Sequence, residues 1–375
     1  MTGKRLLFYY PSNKRTIALE TLLIELRKTG YEVLILTTCA KGDFHFYLES
    51  IGFTTFTNEI KEQGYRYYIK QMFFFIKFCR QKKIQVVHSH LQHTNFIATL
   101  GQFFIKARVI VFRHHFRFTD SLDEKIAVNK NEMFFDRIIN RYAKKIVVPS
   151  NGVYNGIKKH EQVNMGKIKV IPYIYDFSQY QKHDEEKVNA IKKQYPCKLR
   201  LIMVSRLIRL KRHYIVFPVI NELVKEGYDI RLLVMDEGPE KQELERYIDQ
   251  NNLKEHIIML GFRTDFVNFM AAADLLVQPS LTDASNSAAK EMALFGKPVA
   301  VCDQVGDYND YIINNVNGFL MPVNDTASHL KRIIKEIYAG THNTGQMGTL
   351  LKKEIIEKFD ISHSERIIQM YKTIM

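Results

Sequence analysis

Tryptophan is absent from the 375 residues, and the four cysteines, Cys39, Cys79, Cys197 and Cys302, stand far apart, with no CxxC and no paired Cys/His spacing. That scatter excludes a disulfide framework and argues against a zinc site. Long apolar runs are also missing. Stretches such as "MFFFI" fall well short of the ~18 to 20 residues needed to span a bilayer. The opening "MTGKRLLFYYPSNKR" has no small-residue cleavage site and reads as a first strand rather than a signal peptide, so the expected location is the cytoplasm. No short-period repeat, Asp-x-Asp, helix-turn-helix, zinc-finger or RNA-binding signature occurs.

What is present is a chain of ordinary globular composition, 46% hydrophobic and 25% charged. Its length predicts two domains with separate cores. The net charge of +14 is unevenly placed: residues 1–180 hold 28 Lys and Arg against 14 Asp and Glu, while the remainder balances at 26 of each. The N-terminal half is therefore expected to face something anionic: a phospholipid surface, a phosphorylated acceptor or nucleic acid.

Short β-branched and aromatic runs alternate with helical patterns throughout, as in βαβ units with parallel sheets. "KRLLFYY", "EVLILTT", "QVVHSH", "RVIVFRHH" and "KIVVPS" predict the strands of the first half. "LRLIMVSRL", "DIRLLVMDEG", "HIIMLGF", "LLVQPS" and "PVAVCD" predict those of the second. The polar stretch "QYQKHDEEKVNAIKKQYPCK" is the expected hinge. These patterns divide the chain at 1–180, 181–350 and a C-terminal helical segment, 351–375, expected to cross back to the first domain. Ligands of such folds bind outside the carboxyl ends of the strands.

Several strand ends carry chemistry. "SRLIRLKR" places Arg206 and Lys211 on a turn leading into a helix, a diphosphate clamp or simply a basic face. In "MDEGPEKQELE", Gly238 either lets backbone approach a ligand closely or simply forms a turn. In "MLGFRTD", Phe262 is either a flank for a nucleobase or core packing. "SLTDASNSAAKEMALFGKPV" predicts a helix capped by Ser285 or Asn286, its first N–H groups, with Ser287, directed at an anion. Asp283 precedes that helix and Glu291 lies about two turns on, where each is placed to accept hydrogen bonds from sugar hydroxyls. A capping Asp and a surface Glu are the alternative.

In this order, from Met203 to about Asp325, the motifs resemble family 4 of the nucleotide-sugar glycosyltransferases. The resemblance implies the GT-B fold: two α/β Rossmann-like domains with parallel sheets facing across a cleft. It implies that Arg206 and Lys211 bind the donor diphosphate, that Asp283 contacts the donor sugar and that Glu291 contacts the ribose. Here Asp283 stands where the family usually has Glu, and "DASN" replaces the more usual Glu-Gly-aromatic-Gly. After the first strand the family often has a Gly-Gly loop; this chain has "PSNKR" instead, with Lys14 and Arg15 available on the acceptor side. "VVHSHLQH" and "VFRHHF" follow strands and are expected to aim His88, His90, His114 and His115 at the cleft. His115, then His114, is the candidate beside the donor sugar, with His90 on the acceptor side.

The expected reaction is sugar transfer from a nucleotide-sugar donor to a lipid-linked or saccharide acceptor, plausibly in cell-surface polysaccharide assembly. Retention of configuration follows from the resemblance. No metal or other cofactor is expected, because Arg206, Lys211 and a helix end supply the positive potential.

In "YRYYIKQMFFFIKFCRQKK", Tyr65, Tyr68, Ile69, Met72, Phe73 and Ile76 form a helical stripe expected to pack on the sheet. A second line, Tyr67, Phe74 and Phe78, is interleaved with Lys70, Lys77, Arg80, Lys82 and Lys83 and suits an anionic membrane surface on the inner face; burial of both lines between neighbouring helices is the alternative. The competing readings are a sugar-nucleotide epimerase of the same architecture, a catalytically silent binding partner and a basic nucleic-acid-binding protein. The last has no motif in its favour, and nucleic acid is not an expected partner.

Overall fold

The computed structural model describes residues 4–114, 130–180 and 183–375, without the side chains of Lys130 and Gln179. The chain forms two compact units. The first comprises the described residues up to Asp176 together with Phe359–Met375, and the second runs from Phe177 to Lys358.

In the first unit the elements are β1 (Arg5–Tyr10), α1 (Ile17–Lys28), β2 (Glu32–Thr37), α2 (Asp43–Ser50), β3 (Thr54–Thr57), α3 (Tyr65–Gln81), β4 (Val86–His90), α4 (Gln92–Gly101), β5 (Arg108–Phe112), α5 (Lys130–Tyr142), β6 (Lys145–Val148), α6 (Asn151–His160) and β7 (Ile168–Val170). The second continues with α7 (Glu185–Gln194), β8 (Leu199–Val204), α8 (His213–Lys225), β9 (Ile230–Met235), α9 (Lys241–Gln250), β10 (Ile257–Gly261), α10 (Phe266–Ala272), β11 (Leu275–Gln278), α11 (Ser287–Leu294), β12 (Val299–Cys302), β13 (Phe319–Met321), α12 (Thr326–Tyr338) and α13 (Thr344–Phe359). The last helix, α14 (Ser364–Lys372), packs within the first unit.

Both sheets are parallel, with orders β3-β2-β1-β4-β5-β6-β7 and β10-β9-β8-β11-β12-β13. The inner strands of such a sheet are covered on both faces, which explains their near-continuous apolar sequence. β1 shows the consequence: Leu6, Phe8 and Tyr10 enter one core with α1 and α14, while Leu7 and Tyr9 enter another with α3, α4 and α5. In the second unit Leu201 and Met203 of β8 share a core with Val216 and Phe217 of α8. The strand order reverses between β8 and β11, so the loops leaving these neighbours diverge and open a crevice at their carboxyl ends.

Three strands escape the sequence patterns: β3, β7 and β13. All are three or four residues long and lie at sheet edges, where one neighbour suffices and no long apolar run is required. The expected hinge is also corrected in part, because Glu185–Gln194 folds as α7, capped by the Asp184 carboxylate and anchored by buried Val188 and Ile191.

α3 brings a larger correction. Its buried side chains are Gln71, Phe75, Phe78 and Cys79, whereas Tyr65, Ile69 and Phe73 are exposed at 69, 45 and 66%. Half of the stripe expected on the sheet, Tyr65, Ile69 and Phe73, thus faces outward, while Tyr68, Met72 and Ile76 pack partly buried against the core. The helix has apolar side chains almost all round, and close packing selects the face: Phe75 stacks on Tyr9 with ring centroids 5.0 Å apart and presses on α4 at Gly101, where a Cβ would lie 2.8 Å from the ring. Among the described residues, no helix is long and apolar enough to cross a membrane.

Candidate active site

The crevice between β8 and β11 is built by two loops. After β8 the chain turns through Arg206 to Lys211 and enters α8; after β11 it passes Ser280 and Asp283 and enters α11. The structure brings Lys211 and Asp283 together: the Lys211 ammonium donates to Oδ1 and Oδ2 of Asp283, 2.9 Å to each. Their side chains are 12 and 14% exposed, so the pair is mostly shielded yet remains reachable. Arg206 is exposed on the same loop, with no side-chain partner among the described residues. Gly238 packs directly against the Arg206 loop. A Cβ there would lie 2.3 Å from the Leu207 carbonyl oxygen, so the missing side chain lets the Arg206 loop dock against the loop after β9. Hydrogen bonds from Leu207 N to Glu237 O and from Glu240 N to Leu207 O hold the two loops together.

Asn286, rather than Ser285, caps α11. Its side-chain oxygen accepts from the Ala289 N–H at 2.9 Å, while its amide nitrogen donates to Asp283 Oδ2 at 3.3 Å. An Asp cap would do the first and repel Asp283 in the second. Ser285 donates instead to Asp307 Oδ2 at 2.5 Å, and the Asn286 N–H donates to Asp307 Oδ1. Beneath them lies Lys290, whose side chain is 0% exposed and whose ammonium donates to Asp307 Oδ2 at 2.6 Å, Ser285 Oγ at 2.9 Å and the Asn286 carbonyl at 3.1 Å. The loop after β12 completes the enclosure. Gly306, at φ +56°, leaves room where a Cβ would lie 3.1 Å from that of Asp283, and the Tyr308 hydroxyl reaches Asp283 Oδ2 at 3.5 Å.

Lys290, Asp307 and Tyr308 have no assigned part in the sequence reading. The available signal was "VGDYND" directly after a strand, together with a lysine in an otherwise small and apolar helix face.

Glu291 is buried, not a surface residue. Burial pushes its pKa up from the ordinary 4.5 to about 7, against the opposing pull of Ser287, Lys290 and Tyr180 beside it. The two acids eight apart thus sit in different surroundings, one against an ammonium and the other buried. Phe262 is 71% exposed after β10, which removes the core-packing reading.

In the first unit the histidines depart from expectation. His88 and His90 are fully buried, His88 stacked on Tyr371 and His90 on Phe112, with ring centroids 5.8 and 4.3 Å apart. Burial lowers the pKa of His88 to about 3 and that of His90 well below the usual imidazole range. His90 Nδ1 lies 3.2 Å from His114 Nε2, and His114 Nδ1 bonds to the Tyr173 hydroxyl, so these rings form an interior chain. His115 lies outside the described residues. Arg15 is engaged by Glu20 at 2.7 Å and lies over the Tyr47 ring, while Lys14 is exposed. Lys77 and Lys83 are exposed, and the Lys82 ammonium lies 4.8 Å from the centroid of the Phe56 ring.

Residues 184–348 match the family model for glycosyl transferases group 1, and residues 17–179 match that for Glycosyltransferase Family 4. The chain belongs to the family 4 glycosyltransferases. This glycosyltransferase is 24% identical over 278 residues to the UDP-Gal:alpha-D-GlcNAc-diphosphoundecaprenol alpha-1,3-galactosyltransferase of Escherichia coli, covering 71% of this chain and 70% of that one. It is 23% identical over 299 residues to the alpha-monoglucosyldiacylglycerol synthase of Acholeplasma laidlawii, covering 74 and 72%. The structure of Anabaena HepE in complex with UDP matches at a TM-score of 0.80 and 18% identity over 98% of this chain and 100% of that one, which shows a shared GT-B fold.

Two outcomes follow for the glycosyltransferase's stability. Lys290→Met leaves the Asp307 carboxylate buried without its main counter-charge, and chemical denaturation should read a loss of about 3–5 kcal/mol, much of it restored in Lys290→Met/Asp307→Leu. Glu291 contributes a pH-dependent penalty: below 4.5 both folded and unfolded chains hold the proton, and as pH rises to 7 only the unfolded chain releases it. The penalty grows across that window and levels off at ~3 kcal/mol. Glu291→Gln should therefore gain stability relative to the parent by about that amount between pH 4.5 and 8, read from urea midpoints.

Proposed function

We propose that this glycosyltransferase moves a sugar from a UDP-sugar to a hydroxyl of a lipid-linked or saccharide acceptor, with retention at the anomeric carbon and without a metal ion, in building a cell-surface glycan. The observation that carries the reading is the meeting of Lys211 and Asp283 at the switch point of the second sheet. Lys211 and exposed Arg206 place two cations where a diphosphate would lie, and the amide end of α11 adds roughly half a positive charge. As the bond between the anomeric carbon and the phosphate oxygen breaks, these groups stabilise the charge that develops on the departing diphosphate. The acceptor oxygen bonds to the same carbon, and its proton passes to the leaving phosphate oxygen. Asp283 accepts from the sugar hydroxyls once the diphosphate draws Lys211 away, and Glu291 faces the ribose.

UDP is favoured because the Escherichia coli relative is named for UDP-Gal and HepE was crystallised with UDP. A lipid-linked acceptor draws support from the same relative, named for a diphosphoundecaprenol, and from the Acholeplasma laidlawii enzyme, named for a diacylglycerol. Peripheral contact with an anionic membrane suits the basic N-terminal half, whose unit carries eight of the twelve exposed large apolar side chains among the described residues.

A thermal-shift screen tests the donor class. UDP at a hundredfold its Kd should stabilise the protein by ~2.7 kcal/mol, with GDP and ADP well below it at equal concentration. Lys211→Ala should weaken UDP binding by roughly ten- to a hundredfold, the loss of a charge-assisted hydrogen bond. Asp283→Asn should keep UDP binding and lose turnover. No shift with any nucleotide would overturn the reading, and an inverted product anomer by NMR would remove retention.

A further inference from the structure

Three successive residues after β8 fasten the two loops of the crevice. The Leu210 carbonyl accepts from the Leu281 N–H at 2.9 Å, the Lys211 ammonium holds Asp283, and the Arg212 guanidinium reaches the Pro279 carbonyl at 3.4 Å. Arg212 differs from its two neighbours in being buried, at 7% exposure. It also donates to the Thr326 hydroxyl at 3.0 Å and the Val323 carbonyl at 2.9 Å, and its Nε finds no acceptor among the described residues. No Asp or Glu among the described residues pairs with it.

A buried charge without a counter-charge is costly. Two other buried arginines show how this fold ordinarily meets that cost: Arg113 pairs with Glu161 and Asp136, and Arg200 donates to the carbonyls of Tyr195 and Ala272 at the C-terminal, negative ends of α7 and α10. Arg212 has the opposite setting. It stands at the N-terminus of α8 and touches Thr326, the first residue of α12, so two positive helix ends surround it. Its backbone is held at φ +59°, a region that a residue with a Cβ ordinarily avoids, so the turn itself does not call for arginine. An anion in the crevice would balance the guanidinium. We propose that Arg212 is a positioning residue for the donor diphosphate: it fixes Lys211 against the exit of β11 and adds a third positive charge to the field of Lys211 and Arg206. The inference rests on the UDP-sugar donor proposed above. When the diphosphate takes Lys211 from Asp283, the contacts of Leu210 and Arg212 still join the two loops.

Calorimetric titration of the full chain with UMP and UDP tests this, because a charge that acts on the diphosphate weighs more on UDP than on UMP. Arg212→Gln should weaken UDP binding about tenfold and UMP binding clearly less, while Arg212→Lys, which keeps the charge, should stay within about threefold of the parent for both. Arg212→Gly suits the φ of +59° and removes the charge by a second route should the glutamine variant fold poorly. Equal losses for UMP and UDP overturn the proposal, since a packing role alone would give them. So does a lysine variant no better than the glutamine one, or unchanged UDP affinity in the uncharged variants. A parent that binds neither nucleotide sinks the donor reading instead, whereas a parent that binds UDP, with uncharged variants that match it, sinks only the role of Arg212.

Discussion

The shape of the loop that leads into α11 depends on an ammonium group with no access to water. Lys290 meets Asp307, Ser285 and the Asn286 carbonyl at once, so its charge and its donors are all satisfied inside the fold. A buried ion pair of this kind seldom adds much stability over a hydrophobic replacement, because desolvation consumes most of the attraction. Its value here is geometric. It joins the start of α11 to the loop after β12, and the segment so clamped is the one that presents Asp283. With Asp307 also holding the Asn286 N–H, and Asn286 in turn holding both the Ala289 N–H and Asp283, a short chain of hydrogen bonds runs from the buried pair to the exposed edge of the site.

At that edge the carboxylate is paired rather than waiting open. Lys211 binds both oxygens of Asp283, which spares each group the cost of standing uncompensated in a crevice that shields most of both side chains. On the reading proposed above, a diphosphate, with more charge than one carboxylate, competes for the ammonium and leaves the carboxylate to accept from hydroxyl groups. The pair also gives a reason for Asp where the family usually carries Glu, since the shorter side chain meets Lys211 with both oxygens at 2.9 Å and stays within reach of Asn286 and Tyr308.

Much of this was legible from residue order. A strand followed by a basic turn, and a second strand followed by small residues and a helix cap, locate the crevice because parallel sheets place ligands at such ends. Arg206, Lys211, Asp283 and Asn286 are short-range features of those two segments. Lys290 and Asp307 are not, because an ion pair between a helix and a loop seventeen residues on has no local pattern, and a lysine in a helix ordinarily faces solvent. The histidines failed for a related reason. Period-two alternation places His88 and His90 on one face of β4, but both faces of a covered parallel strand are interior, so the alternation cannot say that a ring reaches a ligand.

α3 failed differently and more usefully. With aromatic or aliphatic groups at most positions from Tyr65 to Phe78, helical periodicity allows several buried faces of nearly equal apolar content, and the choice falls to a contact that hydropathy does not register: the hydrogen of Gly101 against the Phe75 ring. Once Phe75 takes that place, 3.6 residues per turn fix the rest, and Tyr65, Ile69 and Phe73 must turn outward. Their exposure is therefore a consequence of tight packing elsewhere on the same helix. A polar sequence at those three positions would fold against Gly101 equally well, so the core does not explain why they are apolar.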